Sequence, residues 1–330
     1  MNKYSSQSGI SLVEILVALV ISLFLLGGII QVYVGNKTTF KFTNALSEVQ
    51  ENGRFALETM VRDIRQAGHW GCIEFIPDEK DVIANKVSVS EWGDYKEELH
   101  DFINQEGIEG TNGTAGDSDT ITIRGSKPGQ SNVINTATSS ESGPIAVSNF
   151  NNIAIDDIVL IMRCGENDLK TEADIVHVTG TGTDADGNST FSFNNAVTLS
   201  QIYNNDAAVI RLQTVTYSIQ DGTDDNRPTL FRTEFEDAQE LISGVEEMHI
   251  LYGIDDDDDS YANQYVTADN VDSFEDIVSL RIELLVSSSD QTITETPLTL
   301  PFNNGNFEAT DNRLYQVFST TIALRNRAGT

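Results

Sequence analysis

Between Ile10 and Val34 the sequence runs for 25 residues with a single charged side chain, Glu14. A carboxylate inside a membrane helix costs about 2.5–3.5 kcal/mol at mid-depth, so one placed there needs a reason. Gly9 stands five residues earlier. Cleavage after Gly9 would leave Ile10 with a free α-amino group, largely protonated near neutral pH. The ammonium of one helix could then pair with Glu14 of a neighbour, relieving both charges at once. The competing reading is a carboxylate near the interface that snorkels into water.

Two further sets of residues could do chemistry. Asp255 to Asp259 are five consecutive acids, and calcium takes six to eight oxygen ligands. Asp255, Asp257 and Asp259 are the expected ligands, because a cation makes adjacent like charges tolerable. Asp184, Asp186 and Asn188 around Gly187 form a second oxygen-rich loop, without the Glu that would close a twelve-residue calcium loop. The alternative for both is a solvated, self-repelling turn. Cys72 and Cys164 are the two cysteines. They are expected to form a disulfide if the head lies in an oxidising compartment. Closing a loop of roughly 90 residues is worth about 4–5 kcal/mol in the chain-entropy picture. Two buried free thiols are the alternative.

Signals for enzyme chemistry are weak. The four histidines, His69, His100, His177 and His249, form no HExxH, and there is no G-x-S-x-G, P-loop or complete G-x-G-x-x-G. A membrane-tethered enzyme or binding protein therefore stays a remote alternative. With 51 acidic against 20 basic residues and a net charge of −31, no nucleic-acid site is expected, since phosphate binding needs clustered cations.

These residues need elements to hold them. The run 10–34 exceeds the roughly 20 apolar residues that cross a bilayer and lacks the cleavage site of a secretory signal. Beyond it, Phe42, Leu46, Val49, Gly53, Ala56, Met60, Ile64 and Ala67 recur every three or four residues, the pattern of an amphipathic helix. Glu48, Glu51, Arg54, Glu58, Arg62, Asp63 and Arg65 fall mostly off that stripe, and Gly68 is a stop signal. A helix over 10–67 would be about 87 Å long, with Gly27-Gly28 its weakest point. The remainder reads as β-rich. Strand patterns occupy 120–124, 158–163, 175–180, 209–219, 229–234, 245–252, 278–286 and 317–324, with short helical turns near 95–104 and 236–242 and polar connections at 107–118, 126–142 and 181–189. The fold class is α+β: a long N-terminal helix, transmembrane in its first half, packed on a largely antiparallel sheet.

Ser8-Gly9-Ile10-Ser11-Leu12-Val13-Glu14 resembles the cleavage motif of type IV prepilins and pseudopilins. The resemblance implies cutting by a prepilin peptidase between Gly9 and Ile10, N-methylation of Ile10, and Glu14 as the assembly glutamate. Ile10 departs from the more frequent Phe. The block from Val49 to Cys72, the strand Ile277–Val286 and the tail Tyr315–Arg327 are similar to minor pilins of the PilW type. The implied division is a leader over 1–9, a transmembrane helical half over 10–34, an amphipathic half over 35–67 and a periplasmic or extracellular head over 68–330. The implied role is a structural subunit that primes pilus assembly and sits in a tip complex serving motility, adhesion or DNA uptake. It would start as a single-pass inner-membrane protein and pass into the filament. Implied partners are the peptidase, other minor pilins, the major pilin, a tip adhesin and the inner-membrane assembly platform. A minor pseudopilin of a type II secretion system shares the N-terminal logic and is the nearer alternative. No cofactor is required; Ca2+ is the one candidate ion.

Overall fold

A computed structural model describes residues 11–71, 83–85, 107–113, 118–133, 144–148, 153–163, 173–194, 199–200, 202–203, 205, 207–223, 227–235, 237–257 and 259–324. Helix α1 spans Leu12–Ile64, 53 residues without interruption at Gly27-Gly28, or about 80 Å. Its last carbonyls are closed by turns running to Gly68, whose φ of 66° is the left-handed conformation that ends a helix.

Seventeen strands are described. β1 is Ile83–Asn85, β2 Ile108–Thr111, β3 Thr120–Val133, β4 Ile145–Val147, β5 Ile158–Arg163 and β6 Ala173–His177. β7 is Gly180–Thr183, β8 Ser189–Ser192, β9 Ala207–Asp221, β10 Pro228–Glu234, β11 Asp237–Ser243 and β12 Val245–Ile254. β13 is Gln264–Val266, β14 Ile277–Ser287, β15 Thr299–Phe302, β16 Gly305–Glu308 and β17 Tyr315–Ala323. The larger sheet has the order β1-β6-β5-β9-β10-β11, with β3 also on β9 and β2 on β3. The second sheet has the order β13-β12-β14-β17. β1 and β6 run parallel; every other strand pairing described is antiparallel.

The head-side half of α1 covers one face of the second sheet. In β14 and β17, Leu284 pairs with Phe318 and Leu280 with Ile322. Strand side chains alternate between faces, so these point together, and they join one core with Val49, Ala56, Met60 and Ile64 of the helix and with Met248, Ile250 and Tyr252 of β12. Each fully buried Val, Met or Ile contributes about 1.5–3 kcal/mol. The opposite face, with Leu285 and Tyr315, is covered by the β15–β16 hairpin through Phe302. β5 is buried on both sides: Ile158, Leu160 and Met162 enter one cluster, Val159 and Ile161 another. That explains why it reads as an unbroken apolar run.

The structure corrects several expectations. The buried helical stripe begins at Ala45, while Phe42 is exposed. Residues 237–243 form strand β11 where a helical turn is expected, because they zip onto β10 with Glu234 opposite Asp237. Gly180–Thr183 and Ser189–Ser192, which overlap the polar connection read at 181–189, form a hairpin whose backbone ladder does not need apolar alternation. β2 and the later part of β3 likewise lie in stretches read as connections. The expected turn near 95–104 lies outside the described residues.

Gly53 sits where α1 crosses Phe318, and a Cβ there would overlap the ring. Gly53→Ala is therefore expected to be net destabilising: overpacking costs about 1–3 kcal/mol, against about 1 kcal/mol gained in helix propensity. In a Phe318→Ala background the same change should become stabilising by about 1 kcal/mol. Thermal melting of the four proteins reads the sign reversal; an unchanged sign would contradict the close approach.

Candidate functional site: the N-terminal helix and its seat on the head

Every residue from 11 to 40 is exposed, including Leu12, Leu16, Leu23, Phe24 and Ile30. Apolar area of that size in water is a strong driving force for burial in lipid or against other helices. Among the described residues this is the helix long and apolar enough to span a membrane.

At its start, Ser11 is the N-cap. Its Oγ accepts from Val13 N at 3.2 Å, and Ser11 N donates to Glu14 Oε2 at 3.3 Å. This is a reciprocal capping box. Its sequence signal is plain, Ser-x-x-Glu ahead of an apolar run, yet the motif resemblance assigns Glu14 only an inter-subunit role. Glu14 also acts within its own chain. It satisfies an orphan amide of its helix, and its negative charge complements the helix dipole. Gly9 and Ile10 lie outside the described residues.

The top of α1 is locked by Asp63, which the helical period places inside the buried stripe and not off it. Its Oδ2 accepts from Tyr217 Oη at 2.8 Å and from Arg232 Nε at 2.8 Å. Arg232 Nη1 donates onward to Glu234 at 3.1 Å, and Glu234 also meets Lys127 at 2.9 Å. One helical carboxylate is thereby tied to β9, β10 and β3. Burial and the neighbouring Asp63 charge push the Tyr217 hydroxyl far above its usual value. For Glu234, burial acts upward, but hydrogen bonds from Lys127 and Arg232 outweigh it and hold the carboxyl low. The helix end sits close on backbone: a Cβ on Gly107 would lie 2.5 Å from Gly68 N, and one on Gly125 2.6 Å from Gln66 O. These glycines let Gly68 N donate to Arg124 O and Ser126 N to His69 O.

Lower on α1, nearer the membrane, the loop after β14 clasps the helix. Lys41 Nζ reaches Asp290 Oδ2 at 2.9 Å, and Glu48 accepts from Ser289 N at 3.0 Å and Ser289 Oγ at 2.9 Å. Hydrogen bonds from Lys41 and Thr292 hold the Asp290 carboxyl down at about 2. Sequence reasoning missed both clasps. Their partners lie more than 150 residues apart, and no local pattern pairs them.

The expected calcium ligands Asp255, Asp257 and Asp259 do converge, with one carboxylate oxygen of each within 4.8 Å of the others. Asp255 is at the same time the organiser of the turn. It accepts from the amides of Asp257 and Asp259 at 3.3 Å and of Ser260 at 2.8 Å. Asp184 plays the same part in the β7–β8 turn, accepting from the amides of Asp186 and Asn188 and from Asn188 Nδ2. Its carboxyl is lowered chiefly by the Asn188 side chain. Cys72 and Cys164 lie outside the described residues. Their described neighbours approach each other: a Cβ on Gly71 would overlap Met162 Cε.

Two family models match parts of this chain. A model of the prokaryotic N-terminal methylation motif matches residues 4–30. A model described as type IV pilus-assembly protein W matches residues 216–326. Both matches point to the type IV pilin-like proteins of the PilW kind. The PilW-matched stretch contains Tyr217, Arg232 and Glu234, the partners through which the head grips Asp63, together with all four strands of the second sheet. As PilW-type pilins are structural subunits, this chain is one too, and not an enzyme. The helix and the prepilin motif anchor it in the inner membrane before assembly, and the motif implies processing by a prepilin peptidase and contact with other pilins. Among solved structures, a type IV-like pilin from Thermus thermophilus is similar at 11% identity over 87% of this chain and 97% of that one, with a TM-score of 0.30, too loose a likeness to build on. No curated protein sequence matches the chain.

Proposed function

We propose that this PilW-type subunit is cut between Gly9 and Ile10, N-methylated at Ile10, and joins other minor pilins in a tip complex that primes the pilus. The observation that carries the reading is the unpartnered apolar face of α1, which continues past the membrane segment through Phe40, Phe42 and Phe55. A lone anchor would need apolar surface only within the bilayer. A helix that leaves the bilayer to pack in a bundle needs it above the bilayer as well, and helix–helix contacts then replace lipid contacts. Glu14 of the entering helix neutralises the Ile10 amine of its neighbour and sets the axial register. A disulfide between Cys72 and Cys164 ties the head to the end of the helix under load; the approach of Gly71 to Met162 supports it.

Loss of the gene is expected to lower the number of filaments per cell while leaving shaft composition unchanged. An epitope in the exposed turn at Asp256-Asp257 should label filament ends. Labelling spread along the shaft would refute a tip position. Recovery with a secretion apparatus, and not with sheared pili, would favour the pseudopilin alternative.

A further inference from the structure

Where α1 leaves the bilayer, a cavity of about 260 Å³ lies between the helix and the loop after β14. Its walls are Val34, Lys37, Thr38 and Lys41 of the helix and Thr292 and Ile293 of the loop. The depth of this site follows from helix geometry. Leu12 to Val34 spans about 34 Å, enough for a hydrocarbon core of about 30 Å. Lys37 then stands about 4–5 Å and Lys41 about 10 Å beyond that core, which is the headgroup layer and its outer edge.

The chemistry is matched to that depth. Val34 and Ile293 are apolar. Lys37 and Lys41 are cationic, and Thr38 and Thr292 carry hydroxyls. Asp290, bonded to Lys41 at 2.9 Å, cancels one of the two positive charges and leaves one over. Thr38 Oγ1 donates to Val34 O at 3.1 Å and Thr292 Oγ1 to Asp290 Oδ1 at 2.7 Å, so the protons left for an anion are those of the Lys37 ammonium and the remaining N–H of Lys41. The chain as a whole carries −31, so a site with a net positive charge runs against its overall balance. The volume is that of roughly eight or nine waters, room for a phosphate and its glycerol.

We infer that the Lys37–Lys41 cavity binds the phosphate of an anionic phospholipid headgroup in the outer leaflet of the inner membrane. An acyl chain runs down past Val34, and the bound lipid seats the head on the bilayer until the helix is extracted. The inference rests on membrane anchoring and not on processing or on the tip complex, so it stands or falls separately from them.

The test is native mass spectrometry of the full chain in detergent micelles, with phosphatidylglycerol, phosphatidylcholine or inorganic phosphate added in turn. One tightly held phosphatidylglycerol per chain is expected, with phosphatidylcholine retained less. Lys37→Gln should lower phosphatidylglycerol retention about five-fold, the equivalent of about 1 kcal/mol per cation near an anionic surface, and Lys37→Arg should restore it. Equal retention of the two lipids, or no change in Lys37→Gln, would overturn the site. Displacement of the lipid by equimolar inorganic phosphate would assign the cavity to a free anion and overturn the lipid assignment.

Discussion

Replacing Glu14 by Ala should leave cleavage after Gly9 intact and lower recovery of the protein in sheared filaments about 100-fold or more. The magnitude follows from the cost of leaving one partner of a buried ion pair alone, about 3–5 kcal/mol. The capping box sharpens the experiment, because Glu14 also serves its own helix, where its Oε2 accepts from Ser11 N. Gln also serves in a capping box, so Glu14→Gln keeps the helix start while removing the charge. If the role is electrostatic, Glu14→Gln fails in assembly as badly as Glu14→Ala. If Glu14→Gln assembles normally, the residue is needed for its own helix and the inter-subunit pairing is wrong. Quantitative blotting of cell and filament fractions reads both variants.

The second large effect belongs to Asp63. Asp63→Ala leaves Arg232 in a largely buried position without its main carboxylate and Tyr217 without an acceptor. The expected loss is about 3–5 kcal/mol, or a fall in Tm of roughly 5–15 °C for a chain of this size. Asp63→Leu with Arg232→Met should regain part of it, since replacing both members of a buried pair with apolar groups is far less costly than orphaning one. Melting curves of the full chain in detergent distinguish the cases. If the double replacement melts no higher than Asp63→Ala, the pair does not act as a unit.

Asp63 also shows where sequence reading stops. The three-to-four spacing of Val49, Gly53, Ala56, Met60 and Ile64 made the helix and its buried stripe legible, and Gly68 marked its end. The same spacing puts Asp63 beside Met60 and Ile64, yet a charged residue is ordinarily assigned to the solvated side. Only the distant Arg232 and Tyr217 make its burial tolerable, and nothing local to Asp63 announces them.

β5 and β14 were legible because their β-branched runs leave few alternatives. β7, β8 and β11 were not. Gly, Thr, Ser and Glu can sit in an edge ladder as easily as in a loop, and the pairing partner decides. The N-terminus was the most legible part of the site: the lone acid in an apolar run and the glycine before it stand within six residues, 9 to 14. Even there the capping role of Ser11 does not stand out, because an inter-subunit partner for Glu14 already accounts for its charge. The Lys41–Asp290 and Glu48–Ser289 clasps, and with them the cavity at Lys37, join segments whose proximity depends on the whole second sheet.

The central claim is that Glu14 finds its countercharge on a neighbouring, newly exposed Ile10 amine. Intact-mass and N-terminal analysis of the protein recovered from filaments tests it most directly. The account predicts a chain that begins with N-methylated Ile10, lacks residues 1–9, and is lighter by two hydrogens for a Cys72–Cys164 bond. A filament-borne chain that still carries residues 1–9 would have no amine at Ile10 to offer, and would contradict it.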